Sequence, residues 1–196
     1  MNRPTRLLTI FCTALLMALS LTAFAHTGHS NADSHGFLDG LSHPFFGADH
    51  LIAMLLVGAW GVLNARKTWV APMTFMAALM IGTLFGQNGF SVPQLEPLVA
   101  SSVLVIGLML TLPFRLGLGT ALAIIGSFAV FHGIAHGSEL SANGTVLAGI
   151  LVGSALLHLV GMLFAKRVLA HHPAWTVRLG QLAALIGGGI VLSSVL

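Results

Sequence analysis

Apolar residues fall along this chain in six long runs that short polar segments separate. Each run is close to the ~20 residues that a helix needs to cross a bilayer, and none alternates with a period of two. Helices satisfy their own backbone hydrogen bonds in lipid, where no water is available. The pattern therefore predicts an all-α integral membrane protein, a six-helix transmembrane bundle. The runs lie at residues 44–64, 69–87, 95–113, 116–136, 144–165 and 175–196.

A further apolar run, Leu7–Leu21, stands at the beginning of the chain and differs from the others. Arg3 and Arg6 precede it, and the small-residue pattern Ala23-Phe24-Ala25 follows it. This is typical of a secretory signal peptide that is cleaved after residue 25; the alternative is an uncleaved first transmembrane helix. The chain then divides into a signal peptide at 1–25, an exported histidine-containing segment at 26–42 and a six-helix transmembrane domain at 43–196.

All six Lys and Arg residues that follow residue 25 lie on one side of the predicted bundle. Positively charged loops stay on the cytoplasmic side of a membrane. We therefore expect a multi-pass protein of a bacterial-type cytoplasmic (inner) membrane whose mature N-terminus and C-terminus lie on the exported side. The six residues are Arg66, Lys67, Arg115, Lys166, Arg167 and Arg178.

The composition excludes the common soluble classes of protein. Only 7% of the residues are charged and 56% are hydrophobic, whereas soluble domains carry about 25% charged residues. A net charge of +3 is too small for binding to the phosphates of a nucleic acid, so we expect no nucleic acid as partner. The apolar composition makes the lipid bilayer the expected partner. Histidine is the exception, because ten histidines outnumber the eight Lys and Arg residues.

Two polar clusters interrupt the apolar runs. The first covers residues 43–50 and the second covers residues 131–139. The predicted orientation puts both clusters at the outer ends of their helices. Ionisable side chains inside membrane spans are costly and mark a function by default. Because the clusters share one depth, they predict a single site on the exported side.

The second cluster has the spacing of a metal site on one helical face. His132, His136 and Glu139 stand at positions i, i+4 and i+7, which places two imidazoles and a carboxylate on one stripe. These ligand types suit a borderline divalent cation such as Ni²⁺, Co²⁺, Zn²⁺ or Cu²⁺.

The first cluster offers further donors. His43 and His50 are seven residues apart and are expected on one helical face. His43 precedes Pro44, so we expect it to cap the helix rather than to lie inside it. Asp49 is either a ligand or an acceptor that fixes the tautomer of an imidazole. Met54 follows His50 by one helical turn and is either a thioether ligand or core packing.

Three more histidines extend the candidate set. His158 lies deep in the fifth run, where it is either a second station on a path or half of a helix–helix hydrogen bond. His26 and His29 belong to the exported segment, which is either a flexible cation collector or a solvated leader.

Glycines recur at a spacing of four residues in several runs. Such pairs let helix backbones approach closely, and we expect them to serve the packing of the bundle. The pairs are Gly82/Gly86, Gly133/Gly137 and Gly149/Gly153.

Two catalytic motifs are absent. The sequence contains no Walker A motif, so we expect no ATP site in this chain. It also lacks H-E-x-x-H, because Gly133 stands where a zinc protease carries its general base. A metal-dependent hydrolase would have only Glu139 as its candidate base.

The two clusters resemble the motifs of the HupE/UreJ family of nickel and cobalt permeases. The family's H-P-x-x-G-x-D-H is matched at residues 43–50, and its F-H-G-x-A-H-G-x-E is matched at residues 131–139. The resemblance extends to the signal peptide, the six helices and the Leu157-His158 pair, so it spans the whole chain. It implies uptake of Ni²⁺ or Co²⁺ across the cytoplasmic membrane for hydrogenase or urease maturation. It also implies no enzymatic activity and no prosthetic group, and makes intracellular metallochaperones candidate partners.

Three hypotheses remain open from the sequence. The first is a secondary permease whose outer ligands capture the cation and pass it inward. The alternative is an intramembrane metal-dependent hydrolase that uses the same His/Asp/Glu site, and the third is a haem protein with paired histidines. The proposed outer ligands are His43, Asp49, His50, His132, His136 and Glu139, with His26, His29, Met54 and His158 as further candidates.

Overall fold

The computed structural model describes residues 36–112, 116–139 and 144–196, with side chains of the middle range as far as Ser138. Every regular element in these ranges is a helix, which confirms the all-α prediction. The signal peptide at 1–25, His26 and His29 lie outside the described residues. The helices are α1 (Phe37–Phe46), α2 (Ala48–Asn64), α3 (Val70–Gln87), α4 (Leu95–Thr111), α5 (Leu118–Glu139), α6 (Gly144–Arg167), a short 3-10 helix (Leu169–His171) and α7 (Pro173–Val195).

Four helices of the described ranges are long and apolar enough to cross a membrane: α3, α5, α6 and α7. The bent pair of α1 and α2 gives a fifth span if the two are taken together. α4 is apolar but has 17 residues. That length is about 25 Å at 1.5 Å per residue, against a hydrocarbon core of about 30 Å. The sixth membrane span therefore stays a prediction.

The first predicted run is not a single helix. α1 and α2 meet at Gly47, which is extended at φ −85° and ψ 117°, and the two helices are bent by 85°. His43 lies inside α1, directly before Pro44, which is also inside the helix, so the expectation that His43 caps the helix is wrong. The shared helical face expected for His43 and His50 is wrong as well, because the bend falls between them.

Packing against α6 explains how α1 accommodates a proline. Pro44 is buried, and a Cβ added at Gly153 of α6 would meet the proline ring Cγ at 3.3 Å. A Cβ at Gly40 would likewise collide with the carbonyl oxygen of Val146. Proline lacks a backbone N–H and crowds the preceding turn, and α1 ends two residues after it. Burial against α6 thus outweighs the local preference of the residue before a proline.

Glycines also set the distance between α3 and α5. A Cβ at Gly82 would collide with the carbonyl oxygen of Val130, and a Cβ at Gly133 would collide with that of Leu79. The two backbones are therefore in direct contact, and the predicted role of the spaced glycines in packing is confirmed. The same close approach to a neighbouring backbone occurs at Gly86, Gly137, Gly149 and Gly153.

α2 is the central helix of the described bundle. Its residues from Leu51 to Gly61 are all buried, and it contacts α1, α3, α4 and α6. A helix that is apolar on all sides requires such an environment. Leucines on the outer helices are exposed instead, and Leu185 of α7 is 75% exposed, which suits contact with lipid. The first turn of α2 is where polar side chains enter this apolar core.

Candidate metal site

Four histidines from three helices converge beside the first turn of α2. His43 comes from the last turn of α1, His50 from the start of α2, and His132 and His136 from the end of α5. The ring centroid of His50 lies 4.6 Å from that of His132 and 4.6 Å from that of His136. The His43 ring lies 4.8 Å from that of His136 and 6.3 Å from that of His50. We call these four residues the outer histidine cluster.

The cluster is buried on its α5 side and more open on the other. His132 is 0% exposed and His136 is 1% exposed, whereas His43 and His50 are half-buried. Within the cluster, His43 and His50 are therefore more accessible than the two histidines of α5.

Asp49 forms a direct pair with His50. Its Oδ1 lies 2.8 Å from Nδ1 of His50 and also accepts a hydrogen bond of 2.8 Å from the backbone N–H of His50. A Cβ at Gly47 would lie 2.9 Å from the same Nδ1 and 3.1 Å from the same Oδ1. The glycine at the bend between α1 and α2 therefore leaves room for this pair to lie close to the backbone.

Ser102 of α4 contacts the cluster from a helix that carries no histidine. Its Oγ lies 3.0 Å from Nε2 of His132 and donates a hydrogen bond of 2.6 Å to the carbonyl oxygen of Val99. Ser102 and His132 are both fully buried. Sequence reasoning missed Ser102, although the adjacent pair Ser101-Ser102 is a polar interruption in the apolar run at 95–113.

Phe75 of α3 links the cluster to His158. Its ring centroid lies 5.5 Å from that of His132 and 5.1 Å from that of His158. His158 is 2% exposed, and its Nδ1 donates a hydrogen bond of 2.7 Å to the carbonyl oxygen of Met54. The helix–helix hydrogen bond considered for His158 is thus present. Phe75 gave no signal in the sequence, since it is one aromatic residue in an apolar run.

The Met54 side chain lies in the hydrophobic core and not at the edge of the outer histidine cluster. It is fully buried and belongs to the central hydrophobic cluster. The Met54 backbone carbonyl is the group that reaches a histidine. Glu139 is the last residue of α5, and its side chain lies outside the described residues.

Several buried ring nitrogens in the described part of the chain have no hydrogen-bond partner. They are Nδ1 of His132, both ring nitrogens of His136 and Nε2 of His158. The hydroxyl of Ser154, one turn before His158 on α6, is buried in the same way. Buried polar groups normally have partners, and each one left unsatisfied costs about 1–3 kcal/mol. The site thus keeps imidazole nitrogens available at a cost in stability.

The outer histidine cluster is not a preassembled ligand cage. No group of three or more His, Cys, Asp or Glu side chains within the described ranges is arranged so that it could hold a metal ion. Neighbouring rings cross at 50° to 82° and pack against one another. The chemistry of the donors, neutral imidazole with a carboxylate beside it, nevertheless suits borderline transition metals.

Comparison with known proteins agrees with this donor set. A family model described as HupE / UreJ protein matches residues 14–192. The chain is 34% identical over 184 residues to Protein HupE of Rhizobium leguminosarum bv. viciae, which covers 91% of this chain and 92% of that protein. No solved structure matches the chain significantly. With a family match that runs through both polar clusters and from α1 into α7, the chain belongs to the HupE / UreJ family.

Proposed function

We propose that this protein is a secondary permease that takes up Ni²⁺, with Co²⁺ as a second cargo, across the cytoplasmic membrane for the maturation of hydrogenase or urease. Membership of the HupE / UreJ family supports a role in nickel or cobalt uptake. The observation that carries the proposal is the set of buried imidazole nitrogens without hydrogen-bond partners among the described residues, at His132 and His136 of α5 and at His158 of α6. Family membership favours transport over the hydrolase alternative.

The buried imidazole nitrogens without hydrogen-bond partners are best explained by a cation that binds to them during transport. A protein core that needed only stability would replace His136 with an apolar side chain, because two unsatisfied nitrogens are costly in a low-dielectric interior. A neutral imidazole offers a lone pair, and a borderline divalent cation is the partner that uses it. The packed rings would turn about their side-chain torsions to bring those lone pairs onto one ion.

The proposed path runs from the exported side inward. His43 and His50 are the more accessible ligands and receive the ion first, with Asp49 held against His50. His132 and His136 take it next, together with Glu139 at the end of α5. Nε2 of His158 and the Ser154 hydroxyl offer an inner station on the far side of Phe75. We assign His26 and His29 to cation collection outside the membrane and Met54 to packing.

The membrane potential supplies a driving force for this path. A potential of 100 mV is worth about 2.3 kcal/mol per elementary charge, and a divalent ion experiences twice that. Transport also requires that no station hold the ion too tightly. Imidazoles that pack against one another and must turn to bind are suited to brief occupancy.

Accumulation of ⁶³Ni²⁺ in cells tests the proposal. Cells that produce the chain should accumulate ⁶³Ni²⁺ above cells without it, and the His43→Ala variant should accumulate severalfold less, because it removes an accessible imidazole. The matched control is His171→Ala, an exposed histidine in the connection between α6 and α7, which should behave as the native chain. An excess of Co²⁺ should compete more strongly than Zn²⁺. Native accumulation equal to that of empty cells, with the protein present in the membrane, would refute the uptake function.

Gly47→Ala tests the geometry of the Asp49–His50 pair. The added methyl group would press on Nδ1 of His50 and Oδ1 of Asp49 at 2.9 and 3.1 Å, so the hydrogen-bonded pair would have to shift away from the bend. We expect ⁶³Ni²⁺ uptake to fall severalfold at an unchanged protein level. The control is Gly189→Ala, where an added Cβ has nothing within 4 Å. Equal uptake by the two variants would show that the pair tolerates displacement.

A further inference from the structure

We propose that Ser102 is a positioning residue for the outer histidine cluster: its hydroxyl holds His132 in the tautomer with hydrogen on Nε2, so that Nδ1 is the ligand atom. This inference rests on the proposed uptake function for its consequence, although the tautomer itself can be measured without transport. Ser102 would act on the cation only through His132.

The direction of the hydrogen bonds follows from the two distances at Ser102. The carbonyl oxygen of Val99 can only accept, and it lies 2.6 Å from the Ser102 Oγ, so the single hydroxyl hydrogen points there. Oγ is then an acceptor toward His132, whose Nε2 is 3.0 Å away. A neutral imidazole carries one hydrogen. Nε2 therefore carries that hydrogen, and the lone pair lies on Nδ1.

The other ring nitrogen of His132, Nδ1, has the properties of an atom that is available to bind a cation. Nδ1 is buried and has no hydrogen-bond partner in the described part of the chain. The ring packs against those of His50 and Phe75, with centroid distances of 4.6 and 5.5 Å. Polar partners of this kind commonly fix the orientation and tautomer of a metal-binding histidine.

A hydrogen-bond acceptor also fixes the tautomer of two neighbouring histidines. The Asp49 carboxylate faces Nδ1 of His50 and the Met54 carbonyl faces Nδ1 of His158. Both acceptors place the hydrogen on Nδ1 and the lone pair on Nε2. His132 is the one of these three with the opposite tautomer, and a serine hydroxyl on α4 is what imposes it.

Removal of the Ser102 hydroxyl should allow His132 to adopt either tautomer. In Ser102→Ala the hydrogen on Nε2 of His132 would have no acceptor, so the ring would populate both tautomers or turn. The fraction with hydrogen on Nδ1 cannot bind a cation through that atom. Changes to the partner of a metal-binding histidine commonly cost 10–100-fold in metal affinity, so we expect the KM for ⁶³Ni²⁺ to rise about tenfold or more.

Two variants provide matched controls. Ser102→Thr keeps the hydroxyl and should retain the native tautomer and KM. Ser101→Ala removes the adjacent hydroxyl, which donates a bond of 2.7 Å to the carbonyl oxygen of Leu98 in the same local geometry but has no histidine contact. A role of Ser102 in helix packing alone would leave the tautomer unchanged in all of these variants.

The deciding measurement is the ¹⁵N NMR spectrum of the full chain in lipid, labelled at histidine, because protonated and unprotonated ring nitrogens have well-separated shifts. The His132 signals are assigned by their loss in His132→Gln. We expect hydrogen on Nε2 in the native chain, in Ser102→Thr and in Ser101→Ala, and a mixture in Ser102→Ala. Hydrogen on Nδ1 in the native chain would overturn the proposal even if Ser102→Ala failed to fold, and so would an unchanged tautomer in a folded Ser102→Ala. The expected tautomers in a chain that takes up no ⁶³Ni²⁺ would refute the uptake function and leave the role of Ser102 in fixing His132.

Discussion

Cells that produce the His136→Leu variant are expected to accumulate no more ⁶³Ni²⁺ than cells without the chain, while the variant protein is at least as stable as the native one. His136 lies between His43 and His50, with ring centroids at 4.8 and 4.6 Å. Its loss removes the buried ring that contacts both accessible histidines of the outer histidine cluster and puts an apolar side chain in its place. Uptake should therefore stop rather than weaken.

The stability of the His136→Leu variant should increase, although its uptake is lost. Both ring nitrogens of His136 are buried without a hydrogen-bond partner among the described residues. Leucine has a similar volume and no polar atom, so the substitution should gain part of the about 1–3 kcal/mol that each unsatisfied buried group costs. Stability gained with function lost is the pattern expected of a residue kept for activity.

The measurement is ⁶³Ni²⁺ uptake together with the thermal unfolding of the purified protein in detergent. His171→Leu is the matched control, because it makes the same replacement at an exposed position and should leave both quantities near native. Native uptake by His136→Leu would remove His136 from the path. Loss of uptake accompanied by a large drop in unfolding temperature would mean that the ring is needed for folding instead.

Gly133→Ala is expected to have the largest effect on folding. A Cβ at this position would collide with the carbonyl oxygen of Leu79 and lie 2.7 Å from the backbone nitrogen of Thr83. Both are backbone atoms of α3, so no side chain can move aside to relieve the contact. The helices would have to separate along their whole contact. We expect a loss above the about 1–3 kcal/mol that overpacking usually costs.

The control for this prediction lies on the same helix and face. Gly126 is seven residues before Gly133, and a Cβ there would be 3.5 Å from the Thr74 Cγ2, which is ordinary contact. Gly126→Ala should be neutral or stabilise α5 by roughly 0.5–1 kcal/mol, since alanine is the better helix former. The two variants are compared by protein level in the membrane and by unfolding temperature. Similar unfolding temperatures would contradict the account of α3 and α5 as a pair in backbone contact.

The sequence predicted the features that depend on local composition. Apart from the first run, which is broken at Gly47, the apolar runs predicted helices whose bounds differ from the structure by a few residues, as in α3 at Val70–Gln87 against 69–87. The glycine spacing predicted close packing of helix backbones, and the structure shows such packing between α3 and α5. The polar clusters at 43–50 and 131–139 were placed at one depth by the basic loops, and the structure brings their four histidines together.

What the sequence could not supply depends on packing between helices. The rule for residues before proline placed His43 outside a helix, yet the burial of Pro44 against α6 keeps it inside α1. The contacts of Ser102 and Phe75 with His132 depend on how α3 and α4 are rotated about their axes. Apolar helices in lipid carry no amphipathic stripe that would reveal this rotation. Hydropathy also marked residues 95–113 as a span, whereas α4 is only 17 residues long.

The break at Gly47 also changes the electric field at the histidines. α1 and α5 both end beside them, with His43 and His136 in their last turns, and each helix C-terminus carries a partial charge of roughly −0.5 from its free carbonyl groups. α2 begins at the same place, but Asp49 in its first turn opposes the positive end of that helix dipole. The backbone therefore favours a dication there and disfavours chloride, even while every imidazole is neutral. An unbroken first helix would leave α5 as the only one of these two helices that ends beside the histidines.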